Sequence, residues 1–325
     1  MSFWRTIHGL LIVLVSAAAP CLARGQDLAS SSSQGSSASR QALSDAWWTG
    51  PLLANGAATL PRGHMLIEPY VYDIASANSN TYGSRAYVFY GLVNGLTVGL
   101  IPIVGYNTVS GGPSSSSLGI GDFSFLAQRR ITQYHEGRWI PTTGLMVQQA
   151  FPTGKYDRLG NRPADGLGQG SYTTTLALNT QWYFWMPTGR ILRMRFNVSQ
   201  AFSTSANVQD VSVYGTTAGF RGHAKPGNSS FADAAWEYSM TRRWVLALDA
   251  TYSYNSNTRV TGINILNSNR VQDSNSGSSG AFGFAPAIEY NWKSNLGVIF
   301  GARIIELGHN TTGSIAPVMA INFVH

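Results

Sequence analysis

The stretch ILRMRFNVSQAF, residues 191–202, alternates apolar and polar side chains with a period of two, which predicts a β-strand. The apolar face of this strand carries Leu192, Met194, Phe196, Val198 and Phe202. The opposite face carries Arg193, Arg195, Asn197 and Ser199. The apolar face requires either a protein core or lipid, while the two arginines require water or counter-charges. The fold therefore depends on which surroundings each face meets.

Eleven further segments show the same alternation, and residues rich in Gly, Pro, Ser and Asn separate them. With 190–202 as the seventh, the predicted strands are 65–73, 85–93, 96–106, 117–130, 139–151, 171–185, 190–202, 229–240, 244–255, 280–292, 296–305 and 313–324. The sequence therefore predicts an all-β fold of about twelve strands over residues 65–325.

The connections between these strands alternate between short and long. Asn94-Gly95, which predicts a type I′ turn, is one of the short connections. The long connections are 107–116, 152–170, 203–228 and 256–279, and the last connection on that side, 306–312, is short again. Outer-membrane barrels have short periplasmic turns and longer external loops. The pattern favours a transmembrane antiparallel up-and-down β-barrel over an exported soluble β-protein.

Aromatic residues concentrate near the strand ends. One group lies beside the short turns: Trp182, Phe184, Trp185, Trp236, Tyr238, Trp244, Tyr290 and Trp292. A second group lies near the long loops: Tyr172, Phe202, Tyr252 and Tyr254. Two belts of amphipathic rings around an aliphatic band match the two interfaces of a membrane. A soluble sandwich core gives no reason for this segregation.

The N-terminus predicts export. Residues 1–23 resemble a signal peptide, with a basic start, a short apolar run and a cleavage site between residues 23 and 29. A lipid anchor on Cys21 is the alternative, which Pro20 disfavours. Residues 24–64 are predicted to be a flexible Ser-rich lead and an irregular segment, since Pro51 and Pro61 interrupt regular structure. The expected location is the outer membrane, with its lipids as partners.

Ten charged residues fall on the predicted polar faces, where they avoid the roughly 2–4 kcal/mol cost of a charge at mid-depth in lipid. These candidate lumen-lining residues are Glu68, Asp122, Arg130, Arg193, Arg195, Asp233, Glu237, Asp249, Glu289 and Arg303. They either pair with one another structurally or select a solute. Twelve strands lie between the filled small barrels and the open porins, so a narrow or plugged pore is expected.

Other chemistries find little support in the sequence. The 22 basic residues are dispersed, so no nucleic-acid partner is expected. The histidines outside the signal segment and the terminus lie in connections or the N-terminal segment without a nucleophile motif, so no catalytic residue and no enzyme is predicted. Loop 152–170 either folds inward or is a solvated external loop. Its Asp157 and Asp165 lack calcium-ligand spacing, and no metal or cofactor is predicted.

Four phrases of the sequence carry a resemblance to a known family: TGPLLANGAATLPRGHMLIEPYVY, VFYGLVNGLTVGL, GIGDFSFLAQRR and QQAFPTGKYD. They resemble the outer-membrane family named for the MetA pathway of phenol degradation, over roughly residues 50–325. The resemblance implies an outer-membrane β-barrel and the uptake of small, often aromatic compounds. The outer-membrane insertion machinery is then an expected partner. Its usual terminal aromatic signal is displaced here, because Phe323 lies two residues before the end.

Two functions follow from this sequence. The first is an outer-membrane channel or transporter for the passive passage of an unknown small solute, with hydrophobic or aromatic compounds as the implied class. The alternative is a non-conducting outer-membrane barrel with a structural or surface-binding role.

Overall fold

The computed structural model describes residues 39–267 and 270–325. The predicted signal peptide and residues 24–38 of the predicted lead lie outside this range. Two 3₁₀-helices occur, Leu43–Asp45 and Pro163–Asp165. No helix in the described part of the chain is long and apolar enough to cross a membrane.

The strands in chain order are β1 (Met65–Ser76), β2 (Ser79–Val93), β3 (Leu96–Ile101), β4 (Ile103–Val109), β5 (Gly119–Ile120), β6 (Ser124–Thr132), β7 (Thr142–Ala150), β8 (Thr173–Trp185), β9 (Ile191–Ser203), β10 (Ala206–Gln209), β11 (Phe220–Lys225), β12 (Ser229–Ser239), β13 (Trp244–Asn255), β14 (Arg259–Asn264), β15 (Arg270–Asn275), β16 (Ser279–Lys293), β17 (Leu296–His309) and β18 (Ser314–Val324).

Fourteen of these strands form one antiparallel sheet that closes on itself, because β1 pairs with both β2 and β18. β3 and β4 are one barrel strand interrupted at Pro102, which has no backbone N–H to donate. β5 and β6 are likewise one strand, interrupted at residues 121–123. The barrel therefore has twelve strands, and the predicted fold class is confirmed.

The first hairpins differ from the sequence prediction in two details. β1 and β2 extend beyond their predicted ends and are joined by residues 77–78 alone. The turn at Asn94-Gly95 is not type I′, which requires positive φ at both residues. Gly95 has a φ of +83°, but Asn94 does not have a positive φ. The pairing of β2 with β3 shifts register between Gly91 and Val93, which leaves Leu92 as the extra residue of a β-bulge. This bulge supplies the local twist that a type I′ turn would otherwise provide.

The two faces of the barrel strands have opposite chemistry. Leu176, Leu246 and Phe284 point outward, and between 46% and 52% of each side chain is exposed in the isolated chain. The inward positions Asn179 and Asp249 are completely buried. An outer face of Leu, Val, Ile and Phe around a polar interior is the pattern of a barrel whose outside meets lipid.

Aromatic side chains surround both ends of this apolar band. At the short-turn end, Trp244 and Trp292 are exposed on the outer face, and both contact the ring of Tyr290. Trp185 does not belong to this belt as predicted. It follows Phe184 on β8 and so points inward, where its indole Nε1 donates to the carbonyl oxygen of Gln41 at 2.8 Å.

A second sheet, in the order β10-β11-β14-β15, extends four barrel strands at the long-loop end. One of its faces is apolar and contains Val208, Phe220, Ala224 and Val260, which pack against the rings of Tyr156 and Tyr214. We call this four-stranded unit the loop sheet.

The charged residues divide into three zones. The short-turn end has nine basic residues and two acidic ones: Arg40, Arg62, Arg129, Arg130, Arg138, Arg190, Arg242, Arg243, Lys293, Asp45 and Glu136. We call this zone the short-turn rim. The barrel interior has four basic and five acidic residues: Arg85, Arg193, Arg195, Arg303, Glu68, Asp233, Glu237, Asp249 and Glu289. The long-loop end has seven of each sign: Lys155, Arg158, Arg162, Arg221, Lys225, Arg259, Arg270, Asp73, Asp122, Asp157, Asp165, Asp210, Asp273 and Glu306.

Candidate solute pathway and its plug

Residues 39–64 fold into the barrel interior, and we call this segment the plug. It enters at the short-turn end, where the backbone N–H of Gln41 donates to Gly189. It leaves at the same end, where Gly63 donates to Gly91. Between these points Ala54 and Ala57 are 4% and 0% exposed. The plug is thus a loop that rises into the lumen and returns to the start of β1.

Two carboxylates hold the rising limb of the plug, residues 49–54. The Glu289 Oε2 atom accepts from the backbone N–H groups of Thr49 at 2.6 Å and Gly50 at 3.2 Å. Asp249 accepts from Leu52 at 3.1 Å, Leu53 at 3.3 Å and Ala54 at 3.0 Å. A buried irregular backbone needs acceptors for its N–H groups, and these two side chains supply them.

An ion cluster lies directly beside this limb. Arg193 forms a bidentate pair with Glu237, whose Oε2 atom also lies 3.2 Å from Nε of Arg195. The Arg193 guanidinium carbon is 4.4 Å from the centre of the Trp48 ring. All three charged side chains are buried, so each depends on the others for compensation.

Arg195 also fixes the apex of the plug, residues 52–55, where the rising limb meets the returning limb. Its Nη1 atom donates to the carbonyl oxygen of Ala54 at 2.8 Å. Gly50 has a φ of +125°, and a Cβ added there would lie 3.4 Å from the Arg195 guanidinium. Glycine therefore allows both the backbone conformation and the close approach of the arginine.

Neutral side chains hold the returning limb, residues 55–60. Gln128 donates from Nε2 to the carbonyl oxygens of Gly56 at 2.9 Å and Ala58 at 3.1 Å. Thr97 accepts from the backbone N–H of Leu60 at 2.8 Å, and Asn197 donates to the carbonyl oxygen of Asn55 at 2.9 Å. This limb is therefore bound by amide and hydroxyl groups of β3, β6 and β9.

Two cavities lie on either side of the plug apex. One, of about 480 Å³, is on the long-loop side and is lined by Arg85, Ile103, Gln169, Phe231 and Arg303 among others. The other, of about 230 Å³, is lined by residues of both the rising and the returning limb. Both cavities share a wall made by Leu52, Leu53, Asn55, Tyr87, Leu126 and Met146. The plug apex and three barrel side chains thus form the constriction between them.

Six of the ten predicted lumen residues come together on neighbouring strands: Arg193, Arg195, Asp233, Glu237, Asp249 and Glu289. Glu68 accepts from Asn322 at 3.1 Å and lines the smaller cavity. Arg303 lines the larger one. Neither oxygen of Asp233 nor the Nε of Arg303 has a hydrogen-bond partner among the described residues.

The other two predicted residues lie at opposite ends of the barrel. Asp122 interrupts its strand and accepts from the backbone N–H groups of Gly154 at 2.8 Å and Gln169 at 2.7 Å, so it clamps the base of loop 152–170. Arg130 lies at the short-turn rim, where its backbone donates to Gly95. These two residues are separated from the central ion cluster.

The residues that bind the returning limb were not predicted as part of the site. Gln128, Thr97 and Asn197 are uncharged, and the sequence prediction selected charges only. The signal for them was the phrase PLLANGAATLP just before β1, since an irregular segment of small residues needs donors and acceptors from a wall.

Loop 152–170 packs on the barrel rather than extending freely. Leu159 and Ala164 are buried, and Gln169 reaches the larger cavity. Asp165 accepts from the backbone N–H of Ser116 at 2.7 Å, which lowers the pKa of its carboxyl group. Asp157 accepts from the backbone of Gln209. Within residues 39–267 and 270–325, no cluster of three or more His, Cys, Asp or Glu side chains is arranged to hold a metal.

A closed barrel with an apolar outer band, aromatic belts and a plugged polar interior defines the class of outer-membrane β-barrels. Within this class, the chain belongs to the family described as "Putative MetA-pathway of phenol degradation", whose pattern matches residues 51–314. The resemblance seen in the sequence is therefore confirmed.

Comparison with solved structures finds further similarities. An outer membrane channel from Pseudomonas putida F1 is 15% identical, with a TM-score of 0.62 over 84% of this chain and 100% of that chain, which shows a common fold. The NanC porin is 11% identical, with a TM-score of 0.44 over 79% of this chain and 98% of that chain. The CymD monoaromatic hydrocarbon channel is 9% identical, with a TM-score of 0.40 over 82% of this chain and 88% of that chain. A search of curated proteins finds no match.

Proposed function

We propose that this protein is an outer-membrane channel for the passive passage of small solutes, and that the plug limits the path. The observation that carries this proposal is the pair of cavities separated by the plug apex. The apex is irregular backbone held by side chains, so it can shift without breaking the barrel sheet. The short turns face the periplasm and the long loops face outside, as in other barrels of this class.

The lining of the larger cavity mixes polar and apolar side chains, which favours small molecules that combine an apolar part with a polar group. Tyr87, Ile101, Leu126, Met146 and Phe231 supply apolar surface. Arg85, Asp122, Gln148, Gln169 and Arg303 supply polar groups around it. A hydroxylated aromatic ring fits this mixture, because its apolar faces can contact the apolar side chains while its hydroxyl group meets the polar ones. The description of the family, which names phenol degradation, agrees with that class.

Planar-bilayer recording tests the channel and the plug together. The intact refolded chain is compared with a chain that begins at Gly63 and so lacks the plug. We expect small stepwise conductance from the intact chain and much larger steps from the shortened one, because removing residues 39–62 joins the two cavities. Heat-modifiable gel mobility of both chains checks that the barrel has formed.

Solute uptake by reconstituted vesicles tests the solute class. Vesicles containing the intact chain are loaded with labelled phenol or with a labelled sugar of similar size, and empty vesicles give the background. We expect the chain to accelerate phenol flux more than sugar flux. A chain that is silent in bilayers and adds no flux for either solute would support the alternative of a structural or surface-binding barrel.

A further inference from the structure

The short-turn rim has an excess of seven positive charges, whereas the long-loop end has none. Its two carboxylates are already in ion pairs, because Glu136 lies 2.7 Å from Arg40 and Asp45 lies 3.3 Å from Arg242. Arg130 faces the interior. Six rim cations have no carboxylate within ion-pair distance in the described part of the chain: Arg62, Arg129, Arg138, Arg190, Arg243 and Lys293.

Three of these cations lie on the outer face or in the short turns. Arg129 and Phe125 lie at outward-facing positions of β6, and the Arg129 side chain is exposed. Arg138 precedes Trp139, whose side chain is 84% exposed. Arg190 lies in the short turn between β8 and β9, where its carbonyl oxygen accepts from the backbone N–H of Met186, and its side chain is half-buried.

The aromatic residues between these cations are organised as a continuous surface. Trp182 donates from Nε1 to the carbonyl oxygen of Trp139 at 3.2 Å, and the Trp139 and Phe184 ring centres are 6.4 Å apart. Indole rings of this kind lie at the headgroup level of a membrane. Arginines at the same level are therefore placed at the depth of lipid phosphates, which they can bind in a bidentate manner.

We propose that Arg129, Arg138 and Arg190, together with Trp139 and Trp182, bind the phosphate groups of anionic glycerophospholipids such as phosphatidylglycerol. The proposal rests on the membrane location and orientation of the proposed function, which place this rim at the inner leaflet. It requires no channel activity. Basic residues beside a membrane surface each strengthen the binding of anionic lipid by about fivefold.

Tryptophan quenching by brominated lipid provides the test. The intact chain is reconstituted in phosphatidylcholine vesicles in which a tenth of the lipid is brominated phosphatidylglycerol or, in parallel, brominated phosphatidylcholine. The test variant combines Arg129→Gln, Arg138→Gln and Arg190→Gln. The matched control removes the same charge from the long-loop end through Lys225→Gln, Arg259→Gln and Arg270→Gln. Heat-modifiable gel mobility confirms folding of each variant.

For the intact chain we expect brominated phosphatidylglycerol to quench more strongly than brominated phosphatidylcholine. The excess should disappear in the rim variant, persist in the long-loop control and decrease in high salt. Equal quenching by the two lipids in the intact chain, or equal loss in both variants, would overturn the proposal. So would binding of polyglutamate to the rim without lipid enrichment, because the rim would then serve an acidic polypeptide.

Bilayer conductance of the same three proteins separates this inference from the channel function. A silent intact chain that still enriches phosphatidylglycerol would remove the proposed function and leave lipid binding intact. A conducting chain without lipid enrichment would support the proposed function and remove the inference of lipid binding.

Discussion

The two halves of the barrel interior hold the plug by different chemistry. Strands β9, β12, β13 and β16 present a buried ion cluster and two carboxylates to the rising limb. Strands β3 and β6 present a hydroxyl group and an amide to the returning limb. Hydrogen bonds to charged groups contribute about 1.5–3 kcal/mol and neutral ones about 1 kcal/mol. The charged half therefore anchors the plug more strongly.

The barrel side chains at the constriction lie on or beside the weaker half. Tyr87, Leu126 and Met146, the barrel residues shared by both cavities, lie on β2, β6 and β7. The smaller cavity is lined by both limbs, by Thr97 and Gln128 of the neutral half and by Arg195 of the charged half. The comparison implies that the charged half keeps the plug in the barrel while the neutral half lets it shift. The predictions below test that division.

The largest effect is expected from Glu237→Gln in the charged half. This change leaves Arg193 and Arg195 buried without their shared counter-charge, which should lower the free energy of unfolding by about 3–5 kcal/mol. Urea unfolding in lipid vesicles measures the loss. Glu306→Gln, the same substitution at an exposed position on β17, is the control and should change little. A loss of similar size at both positions would contradict the role of the ion cluster.

Asp249→Ala should have the next largest effect. Three backbone N–H groups of the plug lose their acceptor, so the free energy of unfolding should fall by roughly 2–3 kcal/mol. The rising limb should also loosen, and bilayer conductance should increase. Ser253→Ala on the same strand serves as control, and unchanged conductance for Asp249→Ala would show that the carboxylate does not hold the plug.

In the neutral half, Gln128→Leu should lower the free energy of unfolding by about 2 kcal/mol, because two neutral hydrogen bonds to the plug are lost and the amide of Asn179 loses its acceptor. The expected conductance change is more frequent opening rather than larger steps. Gln148→Leu, on the same polar lining but without a described bond to the plug, is the matched control. If Gln128→Leu proves as costly as Asp249→Ala, the two halves are equivalent.

A fourth change acts on the proposed path itself. Met146→Trp places a larger side chain at the constriction shared by both cavities, so conductance and phenol flux should fall severalfold. Leu145→Trp puts the same ring on the lipid-facing side of β7, where tryptophan is tolerated. Equal flux through the two variants would place the path elsewhere.

The smallest effect is expected outside both halves, in the long-loop region. Backbone donors lower the carboxyl pKa of Asp165 and Asp210, and Arg259 lowers the pKa of Asp273. Their stabilising contribution is present above the unfolded Asp pKa of about 3.9 and is lost as the pH falls through the lower folded values. Hydrogen exchange at pH 7 and at pH 3, corrected for intrinsic rates, should show loosening of the loop sheet before the barrel strands.

Period-two alternation was sufficient to predict the barrel strands, but not the loop sheet, whose four strands lie in the predicted long connections 203–228 and 256–279. In β9 it places Arg195 and Phe196 on opposite faces, because successive side chains of a strand point to opposite sides. This holds independently of the tertiary structure. The sequence prediction failed at Trp185, because a ring near a strand end was assigned to the lipid belt without regard to its phase, which points inward. It also failed at Asn94, because a bulge replaced the expected turn type.

The sequence by itself determined the twelve strands, their lipid-facing sides and the family. These features depend on the order of neighbouring residues and on the solvent each face can tolerate. Only the tertiary structure decided that residues 39–64 fill the lumen and that Asp249, Glu289 and Gln128 hold them there. Those contacts join positions 70 to 240 residues apart in the chain. No local pattern encodes such pairs, because the closure of the barrel is what brings them together.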